Sequence, residues 1–319
     1  MSDMPILLIR ILIAVVVIAT CIPVFFLLVN RDAFLQARDT AVIRQDGNRR
    51  LGPQQPAQPL ALEELPFALL SEVAYQKAEK IAAGETAAAT PMEIALQAKQ
   101  WQQWPPFFAS DVQARFAKHH LRVDVWENAP LNTVVVTFGG TDPKDIQDWL
   151  ANFRWLIPFH DDQYTLVVKD FGKVFDAEYQ RRLHQPEGES LTHATLMATG
   201  HSLGGGLAQE FAYSLAPADG VPRVRKVYAF DPSPVTGYFS VEKSLRERNR
   251  QGLSIDRVYQ RREVLAILRS TVNVAHPPSA DSPRIREIRF NFAQNWNPVF
   301  RHSITELRMN LAATASGGK

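Results

Sequence analysis

The chain has 319 residues with a hydrophobic fraction of 46%, enough to fill the core of one large domain or two smaller ones. A net charge of +2 excludes a dominant single-sign field, so nucleic acid is not an expected partner. The single cysteine, Cys21, excludes an intrachain disulfide and a cysteine-based metal site.

Ile11 to Val29 carries no charge, and Thr20 is its only polar side chain. That length matches a membrane-crossing helix, and Arg10 at its edge can reach the headgroups. A cleaved signal peptide is the competing reading. It fits less well, because the apolar run continues past the small residues Ala19 and Thr20. The expectation is a single-pass anchor over 5–30. Arg31, Arg38 and Arg44 beyond it lean towards a cytoplasmic main domain.

Residues 31–60 read as a juxtamembrane segment and linker. Asp32 to Arg44 could continue as a polar helix, and Gly47 to Pro59 is rich in Gln, Pro and Arg. Apolar spacing predicts amphipathic helices over Ala61 to Ile81 and Pro91 to Trp104, within a helical segment over 61–118.

From Leu121 the pattern changes to short β-rich runs alternating with helices. Leu121 to Trp126 alternates with period two, and Asn132 to Phe138 reads as a buried strand joined to it by a hairpin. A helix over Asp145 to Phe153, an extended piece at Tyr164 to Val168 and a helix over Val174 to His184 follow. Then come a strand at Ala194 to Thr199, a helix from Leu203 to Leu215 and a strand at Val224 to Phe230. Arg257 to Gln260 and Ile285 to Phe290 complete the strands, and Ser303 to Ala312 the helices. Such alternation predicts an α/β fold with a doubly wound, mostly parallel sheet over 119–314.

Gly200-His201-Ser202-Leu203-Gly204 stands between the strand Leu196 to Thr199 and the helix from Leu207. A strand, a glycine-lined turn and a helix are what a Gly-x-Ser-x-Gly nucleophile elbow requires. The turn sets the Ser202 hydroxyl at a helix amino terminus, where developing negative charge is favoured. A serine needs a base, and only His276 and His302 follow it. His276 lies in the proline-stiffened Ala275-His276-Pro277-Pro278. His302 follows the last strand and precedes the last helix, the position expected of the final triad member. Asp231 and Glu263 both follow strand ends and compete as the acid.

These residues resemble the class 3, fungal-type lipases of the α/β-hydrolases. Val134 to Thr141 is similar to that family's strand and oxyanion loop, Phe-Arg-Gly-Ser/Thr. Asp148 to Asn152 resembles the segment downstream, and Gly200 to Ala208 is close to Gly-His-Ser-Leu-Gly-Gly-Ala-Leu-Ala. The resemblance covers roughly Leu121 to Leu311. It implies Ser202 as nucleophile, His302 as base and the backbone N–H groups of Thr141 and Leu203 as oxyanion donors. It ranks Glu263, in Arg262-Glu263-Val264, above Asp231 as the acid. Two departures are Gly139, where the family has Arg, and Glu in place of Asp.

The resemblance further implies acyl transfer from lipid carboxylic esters to Ser202, with no metal or cofactor. A silent binding domain and an esterase or thioesterase for soluble substrates remain alternatives. Protein partners are not legible. Asp142 to Phe159, rich in large apolar residues, is expected to cover the site.

Overall fold

The computed structural model describes residues 36–37, 39–45, 54–82, 89–140, 163–265, 276–292 and 297–317, side chains of 77–82 and 187 apart. Nine strands form one sheet: β1 (Thr40–Arg44), β2 (Gln54–Pro56), β3 (Gln102–Gln103), β4 (Val123–Asn128), β5 (Thr133–Phe138), β6 (Thr195–His201), β7 (Val224–Phe230), β8 (Ser254–Gln260) and β9 (Arg284–Phe290). Their order is β2-β1-β9-β8-β7-β6-β5-β4-β3. Strands β5 to β9 are parallel, and both edges turn antiparallel through β4 and β1.

Central strands are buried on both faces, so their sequences run apolar instead of alternating; β5, Thr-Val-Val-Val-Thr-Phe, is buried throughout. Period-two geometry sends alternate side chains to opposite cores. Val134, Val136, Leu196 and Ala198 enter one, while Val135, Tyr228, Phe230 and Val258 enter the other.

The helices α1 (Gln58–Ala82), α2 (Pro91–Gln97), α3 (Ser110–Lys118), α4 (Gly172–Leu183), α5 (Leu203–Ser214), α6 (Lys243–Asn249) and α7 (Ile304–Ala315) divide between these faces. Helix α5 lies in the first core, where Leu207, Ala208 and Phe211 meet Phe171 and Phe175 of the α4 region. Helices α1 and α7 pack on the second, through Ala61, Leu70, Val73, Leu307 and Leu311. Ring stacking of Phe67 on Tyr228 at 3.7 Å and a 3.0 Å hydrogen bond between the Ser71 and Thr199 hydroxyls fasten α1 to the sheet.

Four expectations need correction. The helix expected over Pro91 to Trp104 stops at Gln97, and Gln102–Gln103 pairs with β4 as strand β3. Residues 40–44 are strand β1, not polar helix: Thr-Ala-Val-Ile is β-prone, and the segment pairs with β9 through Ala41 opposite Phe290. Part of the expected linker likewise forms β2 and the first turn of α1. Tyr164 to Val168 is helical rather than extended, in a short helix Gln163–Leu166 that runs through a π-helical turn Val167–Phe171 into α4. A short apolar run has no period of its own, and burial of Leu166, Val167 and Phe171 against the core decides its form.

The single-pass localisation, with its lean to the cytoplasmic side, is corrected too. Among the described residues no helix is long and apolar enough to cross a membrane. The anchor expected over 5–30 lies outside the described residues, as do the helix over Asp145 to Phe153 and the cover over Asp142 to Phe159.

Candidate active site

Strand β6 ends at His201 and α5 begins at Leu203, leaving Ser202 alone at the corner with φ 56° and ψ −122°. A non-glycine residue there is strained, and such strain persists only when the surroundings hold it. Here the Ser202 N–H donates to the Phe230 carbonyl at 2.9 Å. Its own carbonyl accepts from Gly205 at 3.0 Å and Ser233 at 2.8 Å. Two glycines make the corner close enough: a Cβ at Gly200 would strike the Gly204 carbonyl, and one at Gly204 the Phe138 carbonyl.

The turn Phe300–His302 between β9 and α7 delivers His302 to the corner. Its Nε2 lies 2.9 Å from Ser202 Oγ, and its Nδ1 lies 2.8 Å from Glu263 Oε2. An ionised carboxylate only accepts, so Nδ1–H donates to Glu263 and Nε2 is left to accept the Ser202 O–H. Glu263 follows β8 after a turn in which Arg262 has φ 63°, and its Oε2 also accepts from the Leu265 N–H at 2.8 Å. All three side chains are almost wholly shielded from solvent.

Asp231 is brought to the same place. It follows directly on β7, is fully buried, and accepts at Oδ1 from the Gln260 N–H at 3.2 Å. His276 goes elsewhere. Arg257 Nη2 lies 2.9 Å from its Nδ1 and the Tyr213 hydroxyl 3.0 Å from its Nε2, while Tyr238 stacks on its ring. Burial first, and then Arg257, hold its pKa down at about 2, so it stays neutral and fastens its loop.

Leu203 opens α5, and the first turn of a helix leaves backbone N–H groups without intrahelical acceptors. Thr141 lies outside the described residues. Gly139, the departure from the family pattern, sits under Arg122: a Cβ there would come within 2.9 Å of the Arg122 Cβ. Gly140 is covered as closely, because a Cβ would strike the Tyr75 hydroxyl and the His201 carbonyl.

Tyr75 and the ring of His201 have no place in the sequence reading. The Tyr75 hydroxyl lies 2.8 Å from His201 Nδ1, and His201 Nε2 lies 2.7 Å from the His302 carbonyl. A carbonyl only accepts, so Nε2–H donates to it and Nδ1 accepts the Tyr75 O–H. His201 was visible inside the elbow motif, whereas Tyr75 carries no local signal on its helix.

His201, Asp231 and His302 each offer an atom within 4.8 Å of the others, a spacing that a metal ion could use. Their ring nitrogens are already engaged by Tyr75, the His302 carbonyl, Ser202 and Glu263, so the set does not suit a metal. Glu63, Glu64 and Asp256 are similarly close, but Lys226 and Arg286 already bind Asp256.

Residues 66–219, slightly under half of the chain, match the model of a Tle-like phospholipase domain within a phospholipase-like family. The span includes Tyr75, His201, Ser202 and Leu203 and ends before Asp231, Glu263 and His302. No curated protein matches the chain. Among solved structures, the Rhizomucor miehei lipase–propeptide complex is 16% identical, with a TM-score of 0.43, over 75% of this chain and 66% of that one. A lipase from Rhizopus microsporus var. chinensis is 16% identical, TM-score 0.44, over 65% and 68%. At these values neither bears on the chemistry. The resemblance of the chain to the class 3 lipase-like family is supported by the match over 66–219.

Proposed function

We propose that the chain is a serine hydrolase of lipid carboxylic esters, phospholipids foremost, working through an acyl-enzyme on Ser202. The observation that carries this is the unbroken line from Glu263 Oε2 through His302 to Ser202 Oγ, at 2.8 and 2.9 Å. The match of 66–219 to a phospholipase domain supports the substrate class.

In this reading His302 Nε2 takes the Ser202 proton as Oγ attacks the ester carbonyl carbon. The imidazolium keeps its Nδ1–H on Glu263, whose charge steadies it. The Leu203 N–H supports the oxyanion from the helix terminus, with the Thr141 N–H as the proposed second donor. Collapse of the tetrahedral intermediate breaks the ester C–O bond, and His302 returns the proton to the leaving alkoxide. Water, deprotonated by the same histidine, then releases the fatty acid and restores Ser202.

Treatment with a fluorophosphonate, followed by mass spectrometry of the peptide containing Ser202, tests the assignment. Phosphonylation of Ser202 and its loss in His302→Ala are the expected results. An inert Ser202 in folded protein would leave a silent binding domain as the better reading.

A further inference from the structure

Two carboxylates, not one, close on the ring of His302. Glu263 reaches Nδ1 from the turn after β8 at 2.8 Å. Asp231 comes from the end of the neighbouring strand β7, within 4.8 Å of ring nitrogens of both His302 and His201. Asp231 is held tightly: its N–H donates to the Val258 carbonyl at 2.7 Å, and Gln260 N–H donates to its Oδ1 at 3.2 Å. Its φ of 39° lies in the left-handed region, a conformation that aspartate tolerates at some cost. A fully buried carboxylate in strained backbone is an expensive way to end a strand, unless its charge is used.

We infer that Asp231 is a positioning residue for the reaction proposed above, a second buried negative charge that stabilises the imidazolium of His302 together with Glu263. Glu263 fixes the ring and its tautomer through a hydrogen bond, and Asp231 contributes its charge. The inference rests on the hydrolase reading for its purpose, but not for the electrostatics.

Basic residues crowd the turns that carry Glu263 and His302. Arg261 and Arg262 precede Glu263 on its turn, and Arg301 precedes His302. Arg301 donates from Nη1 to the Arg261 carbonyl at 3.0 Å, which brings the two turns together. Arg261 has its pKa pushed down to about 10, by burial first and then by Arg262, Arg289 and Arg301. Positive charge is thus gathered on the turns that carry Glu263 and His302. From α1 comes Tyr75, and from the elbow His201, whose Nδ1 accepts the Tyr75 O–H and whose Nε2–H donates to the His302 carbonyl. The carboxylates of Asp231 and Glu263 both lie within reach of the His302 ring. An opposite charge about 4–6 Å away raises a histidine pKa by roughly 1–3 units.

The test follows the rate of Ser202 labelling by a fluorophosphonate between pH 4.5 and 9, in wild type, Asp231→Asn and Asp231→Gly. The glycine variant removes the charge and also relieves the φ of 39°, which guards against a variant that fails to fold. The ¹⁵N resonances of His302 in the same proteins give its titration midpoint without reference to activity. The expected result is a midpoint lowered by about one unit or more in both variants, in NMR and in the acid limb of labelling. The plateau labelling rate should fall about tenfold, the equivalent of one unit. Loss of mere packing would slow labelling without moving the midpoint. An unchanged midpoint in either folded variant overturns the inference. An unlabelled Ser202 in wild type would instead remove the hydrolase reading, while the NMR midpoint still decides the role of Asp231.

Discussion

His201 Nε2 donates to the His302 carbonyl at 2.7 Å, so the residue before Ser202 holds the backbone of the residue whose ring bonds to Ser202. The two histidine rings lie 4.8 Å apart, and Tyr75 from α1 closes the chain of contacts on His201 Nδ1. The proposed catalytic histidine is therefore fixed by helix α1, almost the whole sheet away in sequence.

Tyr75→Phe tests that support. It removes the buried hydroxyl that meets both His201 Nδ1 and the His201 carbonyl, at a cost of about 1–3 kcal/mol in stability. Turnover should fall several-fold while fluorophosphonate still labels Ser202. Unchanged melting temperature and turnover would show that the Tyr75–His201 contact supports nothing.

Glu263→Gln should lower kcat by about 10⁴, the loss seen when the orienting acid of a triad becomes an amide. An amide can present its NH₂ to Nδ1, which would favour the wrong tautomer of His302. Steady-state kinetics on a soluble ester checks this. A kcat within a few-fold of wild type would remove Glu263 as the acid.

The elbow glycines should tolerate no side chain. Gly204→Ala places a methyl group against the Phe138 carbonyl, a backbone atom that cannot rotate away. The expected loss is about 3 kcal/mol or failure to fold, read from urea unfolding. A stability within about 0.5 kcal/mol of wild type would mean that the approach of α5 to β5 is looser than described.

Glu64 carries the clearest pH dependence of stability. It is fully buried, its pKa is raised well above the ordinary range by burial first and then by Asp256, and its two oxygens have no hydrogen-bond partner among the described residues. The folded state keeps its proton at pH values where the unfolded chain releases it. Stability is thus lost as pH rises from the ordinary carboxylate range through the raised value. Glu64→Gln should flatten that decline, and its advantage over wild type should be larger at pH 8 than at pH 5 in urea titrations. Parallel pH profiles would contradict the assignment.

The strand–elbow–helix around Ser202 was legible because its chemistry is local: glycines two residues either side of a serine, a buried strand before and an apolar helix after. The late strands and final helix followed from period and order alone. The meeting of β1 with β9 was not legible, since Thr40–Arg44 pairs with residues more than two hundred positions away. Tyr75 was hidden for the same reason, because its place depends on how α1 packs on the sheet. Between Glu263 and Asp231 the sequence left a choice; the structure brings both to one ring, with Glu263 at 2.8 Å from Nδ1.

Fatty-acid release from phospholipid vesicles, compared between wild-type protein and Ser202→Ala, decides whether Ser202 carries the hydrolysis. Release by the wild type, and a fall of about 10⁴ or more in the folded variant, are the expected results. Comparable release by a folded Ser202→Ala protein would contradict that role.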